Sequence, residues 1–350
     1  MASFYPLKVK EIQRITPSAV MISFEIPENL KHVFSFTAGQ YITIKKIVNG
    51  KEIRRSYSIC SSHMDDLLRV GIKKVPKGTF SAYANDELQI GDVLEVHPPE
   101  GKFIFMPDPS KKRNLIAFAA GSGITPIMSI IKTVLEEEPN SSFVLVYGNK
   151  SVAETMFHEE LLALIEKFTI RLSVYFIYSR NTEDGALFGR IDRSMVNFIL
   201  KNKYKEVAFD TFYLCGPEEM IETVSEILKE NTVSDKQIKF ELFTTSNEEE
   251  PSKDVPEGKT KITIWVDDEE TSFVMDKSQR ILDAALAQKI DAPYSCQGGI
   301  CSSCIARIKE GSATMVKNQI LTDSEVAEGL ILTCQANPDS ETLVIDYDDV

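Results

Sequence analysis

The chain has 350 residues and a formal net charge of −13, with 39 Lys and Arg against 52 Asp and Glu. Hydrophobic residues make up 43% and charged residues 26%, a globular composition that argues against a disordered or fibrous protein. The net negative charge argues against general nucleic-acid binding, because that affinity comes from neutralising phosphates with Lys and Arg. At roughly 100–200 residues per domain, the length predicts two or three domains.

The N-terminal third consists of short β-type segments separated by Gly, Pro and Asn. The predicted strands are Lys8–Ile15, Val20–Glu25, Tyr41–Ile47, Arg55–Cys60, Leu67–Lys73 and Val93–His97. Strands at this spacing predict an antiparallel β-barrel or sandwich. We place this first domain at residues 1–107.

Strands and helices alternate in the middle of the chain. The predicted strands are Asn114–Ala120, Phe143–Tyr147, Arg171–Tyr178 and Thr211–Leu214, and the predicted helices end at Glu138 or span Phe157–Phe168 and Glu218–Glu230. This alternation predicts a doubly wound α/β domain with a buried parallel sheet. We place it at residues 108–244.

A polar, acidic segment with two prolines, residues 245–258, predicts an extended linker. The third domain, residues 259–350, has 8 basic and 16 acidic residues, a net charge of −8. Its predicted elements are a hairpin of Lys261–Val266 and Thr271–Met275, a helix Ser278–Gln288 with Ser278 as N-cap, and a last strand Thr342–Tyr347.

Four of the six cysteines lie in this third domain. Cys296, Cys301 and Cys304 follow one another with four and two residues between them, and Cys334 comes after a further 29. This is the plant-type [2Fe–2S] spacing, in which three thiolates on one loop and a fourth from elsewhere hold the cluster. A zinc site usually has two symmetric Cys pairs, and a Rieske centre needs two His, which this domain lacks. The alternative is a set of buried or disulfide-linked cysteines.

Two motifs carry a resemblance to known families. Pro293–Cys304 with Leu332–Gln335 resembles a plant-type ferredoxin of the α+β β-grasp fold. The R-S-Y-S sequence of Arg55, Ser56, Tyr57 and Ser58 resembles the flavin motif of the ferredoxin–NADP reductase family. Arg can fork onto a pyrophosphate, Tyr offers a ring face to the flavin, and Ser can donate a hydrogen bond to the flavin N5.

A second flavin motif begins about 20 residues later. Gly78-Thr79-Phe80-Ser81 opens a predicted helix whose N-terminus suits a pyrophosphate, and Lys73 and Lys74 precede it. The family has Gly-x-x-Ser at this place, and the resemblance implies FAD rather than FMN. The candidate residues are Lys73, Gly78, Thr79 and Ser81. Thr79 stands where many relatives have Arg, so this chain lacks one positive charge that could face a phosphate.

The α/β domain resembles the family's nicotinamide-binding domain. Gly121-Ser122-Gly123-Ile124-Thr125-Pro126 matches its G-x-G-x-x-P motif, in which glycines let the backbone approach a phosphate at a helix N-terminus. Cys215-Gly216-Pro217 matches the C-G-P beside the nicotinamide. The candidate binding residues are Gly121, Gly123, Thr125, Pro126, Cys215, Gly216 and Pro217. The resemblance also assigns catalytic roles to Ser58, Cys215 and Phe243, the last as a ring against the flavin.

The choice of nicotinamide rests on Ser179-Arg180, which follows a predicted strand. It resembles the Ser-Arg that holds the 2′-phosphate in NADP-using members, and Arg is a natural partner for a phosphate monoester. We therefore expect NADPH, with NADH as the alternative.

The order of the three domains resembles the reductase components of multicomponent oxygenases. Tyr147–Lys150 (Y-G-N-K) and Phe188–Asp192 (F-G-R-I-D) are most similar to the reductase subunits of phenylacetyl-CoA epoxidases, and also to steroid- and ring-hydroxylating reductases. The resemblance implies electron flow from NADPH through FAD and [2Fe–2S] to a terminal oxygenase, for which the acidic third domain predicts a basic docking patch. The alternatives are a reductase for a Rieske oxygenase, desaturase or P450, and an electron-transfer or sensor subunit without turnover.

The sequence shows neither a signal-peptide pattern nor an uninterrupted apolar span of about 20 residues. We therefore expect a cytoplasmic protein without membrane insertion.

Overall fold

The computed structural model of the chain describes residues 4–48, 50–65, 67–76, 78–243 and 258–350. These residues form two units. One contains Tyr5–Ile53 and Tyr57–Phe243, and the other contains residues 258–350 with Phe4 and Arg54–Ser56. The first two predicted domains therefore share a unit, and the boundary between them stays a prediction. The predicted linker lies outside the described residues except for Gly258.

The first sheet confirms the predicted antiparallel barrel. Its strands are β1 (Tyr5–Thr16), β2 (Ala19–Glu25), β3 (Tyr41–Val48), β4 (Lys51–Ser58), β5 (Leu68–Lys73) and β6 (Val93–Val96), in the order β4-β3-β6-β1-β2-β5. The chain beyond β4 reaches the other edge, where Ile59 bridges Val70 and closes the sheet. Helix α1 (Thr79–Asp86) follows β5 and buries Phe80 in the barrel core.

The second sheet is parallel, as predicted. Its strands are β7 (Asn114–Ala120), β8 (Ser142–Asn149), β9 (Leu172–Tyr178), β10 (Leu187–Phe188), β11 (Thr211–Gly216) and β12 (Ile238–Leu242), in the order β10-β9-β8-β7-β11-β12. The helices are α2 (Ile124–Glu137), α3 (His158–Lys167), α4 (Arg193–Asn197), continued by a π-helical segment Phe198–Lys203, and α5 (Glu218–Glu230). The central strand β7 is almost entirely buried, because a parallel sheet is covered on both faces.

The second unit has the strand and helix arrangement of the β-grasp fold. Its elements are β13 (Lys259–Val266), β14 (Glu269–Asp276), α6 (Ile281–Ala287), β15 (Ile305–Glu310), β16 (Ala313–Met315), α7 (Asp323–Ala327), β17 (Leu330–Leu332), β18 (Ala336–Pro338) and β19 (Thr342–Asp346). The main sheet has the order β14-β13-β19-β15-β17, and α6 packs on its buried face.

The predicted start of α6 is wrong. The helix begins at Ile281, and its N-cap is Arg280 without a side-chain cap, not Ser278. The Gln279 N–H donates to the Asp276 carbonyl, so Ser278 lies in a turn that continues from β14. Within the described residues, no helix combines the length and apolar character needed to cross a membrane.

Candidate functional site

The predicted flavin motif lies at the end of β4. Arg55 is exposed, and its guanidinium donates to a neighbouring backbone carbonyl at 2.7 Å, whereas Ser56 is half-buried and Ser58 is buried. The ring centres of Tyr57 and Phe80 lie 5.6 Å apart. This aromatic contact brings the end of β4 next to α1, the helix with the second flavin motif.

Helix α1 begins without a side-chain cap, and its N-cap Gly78 is extended at φ −70° and ψ 124°. A Cβ on Gly78 would lie 2.3 Å from the Ser81 Oγ, so a side chain at this position would have to displace the Ser81 hydroxyl. That Oγ in turn accepts the Val75 N–H at 3.3 Å. The N–H groups of the first helical turn, from Thr79 onward, are therefore available to an anion, and this end of α1 fits the pyrophosphate of FAD.

Lys73 has an acidic partner in the structure. Its Nζ lies 3.5 Å from the Glu154 Oε2, and the Ser18 hydroxyl donates to the same oxygen at 2.8 Å. Glu154 belongs to the loop after β8, so this contact ties the barrel to the α/β sheet. The Lys73 charge is thus shared with a carboxylate, and its contribution to flavin binding stays a prediction.

A carboxyl that the sequence analysis missed lies against the predicted flavin serine. The Ser58 hydroxyl donates to the Glu241 Oε2 at 3.0 Å, and Glu241 pairs with Cys215 across β11 and β12. Burial raises the pKa of Glu241 to about 8, although the Ser58 hydrogen bond opposes the shift. Near neutral pH the site therefore holds a proton on a carboxyl that touches Ser58. The alternation of apolar and charged residues in Ile238–Leu242 is the sequence signal that could have predicted this strand.

Cys215 is fully buried in the core beside β7, and burial, followed by the nearby Glu241, raises the pKa of its thiol well above the usual range. Its predicted contact with the nicotinamide stays a prediction. Phe243 is half-buried against the same core cluster, directly after β12. The structure thus places both residues near the end of β11 and β12, where Ser58 meets Glu241.

The two predicted nicotinamide motifs pack against each other. A Cβ on Gly123 would lie 2.1 Å from the Cys215 carbonyl oxygen, so the glycine turn rests directly on the C-G-P backbone. Gly121 has a φ of +56°, and a Cβ there would meet no described heavy atom within 4 Å. The turn therefore leaves Gly121 open to a ligand, which fits the close approach of a nucleotide phosphate.

The other residues of these motifs shape the turn and the helix starts. The Thr125 hydroxyl donates to the Ser122 carbonyl at 3.0 Å, and Pro126 lies in the first turn of α2. A Cβ on Gly216 would lie 2.8 Å from the Met220 side chain, and Pro217 is the N-cap of α5.

Ser179 and Arg180 extend β9 at the carboxyl edge of the parallel sheet. Their backbone N–H groups donate to the Asn149 and Lys150 carbonyls at 3.0 and 3.1 Å. The Arg180 side chain is exposed, and none of the ion pairs within the described residues involves it. It lies at the edge where open α/β sheets bind their ligands.

The four predicted cluster cysteines come together in the second unit. Cys301, Cys304 and Cys334 are buried, and all four are free thiols. The sulfur of Cys296 is within hydrogen-bonding reach of Cys301 and Cys334, and that of Cys334 also reaches Cys304. Together with the Gly298 N–H at 3.3 Å, these contacts hold the pKa of the Cys296 thiol well below its usual range. Four thiols linked by these pairwise contacts, with an N–H aimed at a sulfur, fit a [2Fe–2S] cluster.

The backbone of the cysteine loop is held in a tight bend. Gln297 and Gly299 have φ values of +55° and +73°, and a Cβ on Gly299 would lie 2.9 Å from the Gln335 side chain. The Gln335 amide donates to the Gln297 carbonyl at 3.0 Å. The residue after Cys334 thereby fastens the loop that carries the other three cysteines.

A Glu241→Gln variant is expected to flatten the pH dependence of stability. The Glu241 carboxyl has a pKa of about 8 in the folded protein and an ordinary pKa of 4.5 in the unfolded chain. The unfolded state then binds fewer protons between these values, so this group's contribution to stability falls as the pH rises through that window. Urea unfolding midpoints at pH 5 and pH 8 measure the effect. An equal fall in the unfolding midpoint between pH 5 and pH 8 in the wild type and the variant would contradict this role of Glu241.

Comparison with known proteins agrees with this geometry. Three families match the chain: an oxidoreductase FAD-binding domain at residues 6–105, an oxidoreductase NAD-binding domain at 117–226, and a 2Fe-2S iron-sulfur cluster binding domain at 264–339.

Relatives match along the whole length. One of the subunits of 1,2-phenylacetyl-CoA epoxidase from Escherichia coli (strain K12) is 36% identical over 351 residues, which cover 99% of both chains. The ferredoxin reductase component of 3-ketosteroid-9-alpha-monooxygenase from Rhodococcus rhodochrous is 30% identical and covers 97% of this chain and 96% of its own. The solved structure of phthalate dioxygenase reductase has the same fold, with 23% identity, a TM-score of 0.63 and 98% of each chain covered.

Proposed function

Because the chain belongs to the family of oxygenase reductase components that join FAD-, NAD- and [2Fe–2S]-binding domains, we propose that it oxidises NADPH and supplies electrons to a phenylacetyl-CoA epoxidase-type oxygenase. The observation that carries the proposal is the convergence of four thiols in the same chain as the two nucleotide-binding domains. The full-length similarity to the Escherichia coli protein supports this oxygenase class over the others.

The cofactors supply the redox chemistry: bound FAD accepts two electrons from the nicotinamide and releases them singly, and the cluster carries one at a time. The chain's residues bind and orient these groups. We assign the pyrophosphate of FAD to Arg55 and the first turn of α1, and the flavin ring to Tyr57 and Ser58. Glu241 holds a proton on the carboxyl that Ser58 contacts. We assign the cluster to Cys296, Cys301, Cys304 and Cys334.

The nicotinamide nucleotide enters at the carboxyl edge of the parallel sheet in this proposal. Gly121 offers backbone without side-chain obstruction, and the rigid contact of Gly123 with Cys215 fixes the turn. Ser179 and Arg180 stand at the same edge and supply the site for a 2′-phosphate.

An Arg180→Ala variant is expected to raise the KM for NADPH about 10- to 100-fold, because a hydrogen bond to a charged group contributes roughly 1.5–3 kcal/mol. The KM for NADH is expected to change little, since NADH lacks the phosphate. Lys201→Ala removes an exposed charge from the same domain and serves as the control. Equal effects of Arg180→Ala on the two nucleotides would count against NADPH.

The partner proposal rests on charge. Residues 259–350 carry a net charge of −8, which favours an oxygenase with a basic docking patch. High salt is therefore expected to slow electron delivery to the oxygenase while leaving direct reduction of ferricyanide unchanged, because salt screens exposed charges beyond a Debye length of about 10 Å at 0.1 M. Salt-independent delivery would argue against an electrostatic docking face.

The function is tested by mixing the purified holoprotein with NADPH, the oxygenase component of a phenylacetyl-CoA epoxidase, and its acyl-CoA substrate. We expect NADPH consumption coupled to epoxide formation. Consumption without coupling would move the proposal to another oxygenase class. A protein that does not consume NADPH even with ferricyanide would be an electron-transfer subunit without turnover.

A further inference from the structure

A buried hydrogen-bond chain connects the end of the last strand to the cysteine loop. The Tyr347 hydroxyl donates to the Thr333 Oγ1 at 2.8 Å, and the Thr333 hydroxyl donates to the Cys304 carbonyl at 3.0 Å. Tyr347 is 6% exposed, Thr333 is fully buried and Cys304 is 1% exposed. These hydrogen bonds are therefore shielded from bulk water, and hydrogen bonds are strongest in such a buried environment.

The direction of these two hydrogen bonds follows from the positions of the hydroxyl protons. The Cys304 carbonyl can only accept, so the single Thr333 hydroxyl proton points toward it. The Thr333 oxygen must then accept the proton of Tyr347. Burial raises the pKa of Tyr347 above its usual value, so the phenol stays protonated. The positive ends of both hydroxyl dipoles thus point toward Cys304.

Thr333 links two cysteine-bearing segments that are distant in sequence. It directly precedes Cys334, and its backbone N–H also donates to the Cys304 carbonyl, at 3.1 Å. One residue therefore fastens the third cysteine to the fourth across the 29 residues between them. Tyr347 is itself fixed, because its backbone N–H donates to the Trp265 carbonyl at 3.0 Å, which continues the pairing of β19 with β13.

We propose that Tyr347 is a positioning residue of the cluster site, acting through Thr333 to hold Cys304 and Cys334 in register and to favour the reduced cluster. The inference rests on the proposed [2Fe–2S] function. A cluster that gains an electron becomes more negative, so hydroxyl dipoles whose positive ends point toward it raise its potential. Tyr347 and Thr333 are proposed to act through the Cys304 backbone and not through a bond to a cysteine sulfur.

The test uses the full-length holoprotein and four variants: Tyr347→Phe, Thr333→Val, Thr333→Ser and the Tyr347→Phe/Thr333→Val pair. The readouts are the midpoint potential of the cluster, from an anaerobic dye titration followed by visible absorbance, and the rate at which a chelator removes that absorbance. We expect Tyr347→Phe and Thr333→Val to lower the potential and to speed cluster loss about 10-fold, the scale seen for outer-shell partners of metal ligands. Thr333→Ser keeps the hydroxyl and is expected to resemble the wild type.

The double variant separates a relay from a general packing effect. If Tyr347 acts through Thr333, Tyr347→Phe adds nothing to the potential shift of Thr333→Val. A full additional shift in the double variant, or no shift in either single variant, would overturn the proposal. Tyr83→Phe removes a tyrosine hydroxyl in the other unit, and this control is expected to leave the cluster potential unchanged. A wild-type protein that shows no cluster absorbance after reconstitution would instead contradict the proposed function.

Discussion

A Cys334→Ala variant is expected to lose its [2Fe–2S] absorbance and its ability to reduce cytochrome c, while it keeps reducing ferricyanide with NADPH. Cys334 is the one proposed ligand outside the Cys296–Cys304 loop, and its sulfur reaches both Cys296 and Cys304. Removing it opens the thiolate set on the side that the loop cannot close. The change leaves Arg55 and the FAD and nicotinamide motifs from Tyr57 to Phe243 intact, so two-electron oxidation of NADPH should survive.

The matched control is Cys60→Ala. Cys60 is buried in the other unit, where burial raises the pKa of its thiol to about 12, and it has no role in the proposed cluster. This variant should keep both activities. Cytochrome c reduction at the wild-type rate by Cys334→Ala would show that electrons leave the protein without the cluster.

A Gly123→Ala variant is expected to be the most damaging single change in the nucleotide site. Its Cβ would lie 2.1 Å from the Cys215 carbonyl oxygen and 2.8 Å from the Gly216 nitrogen, both backbone atoms within a buried sheet. The turn must move away from β11, at a cost of about 3 kcal/mol. Because we propose that the same turn binds the nucleotide, we expect NADPH oxidation to fall together with stability. Urea unfolding and ferricyanide reduction measure the two effects.

Gly121→Ala is the comparison that isolates the clash. Gly121 has a φ of +56°, so alanine there costs about 1–2 kcal/mol of backbone strain, but its Cβ would touch no described heavy atom within 4 Å. This variant should be less destabilised than Gly123→Ala. An equal loss of stability in both would mean that the turn does not rest on the C-G-P backbone as described.

The sequence predicted the elements with strong local patterns. β7 and α5 have the predicted bounds, Asn114–Ala120 and Glu218–Glu230, because an apolar run between turn residues and an amphipathic helix after a proline are both unambiguous. The glycine motifs and the four cysteines were also visible, since each needs a particular residue type at fixed spacing.

Elements set by distant partners were not predicted. β12 is short and half-exposed, and it is a strand because it pairs with β11. The role of Glu241 follows from that pairing, since the strand brings it to Ser58, 183 residues away. The bond between Tyr347 and Thr333 likewise joins residues 14 apart, with no local pattern to mark it. Ser278 shows the opposite failure, in which a suitable capping residue was overridden by the turn after β14.

The central claim, that electrons pass from NADPH through the flavin to the cluster, is tested most directly by rapid anaerobic mixing of the holoprotein with NADPH. The visible absorbance of the flavin and the cluster is followed separately. We predict that the flavin bleaches first and that the cluster is then reduced within the same turnover, whereas in Cys334→Ala only the flavin signal changes. A wild-type cluster that stays oxidised while the flavin is fully reduced would contradict the account.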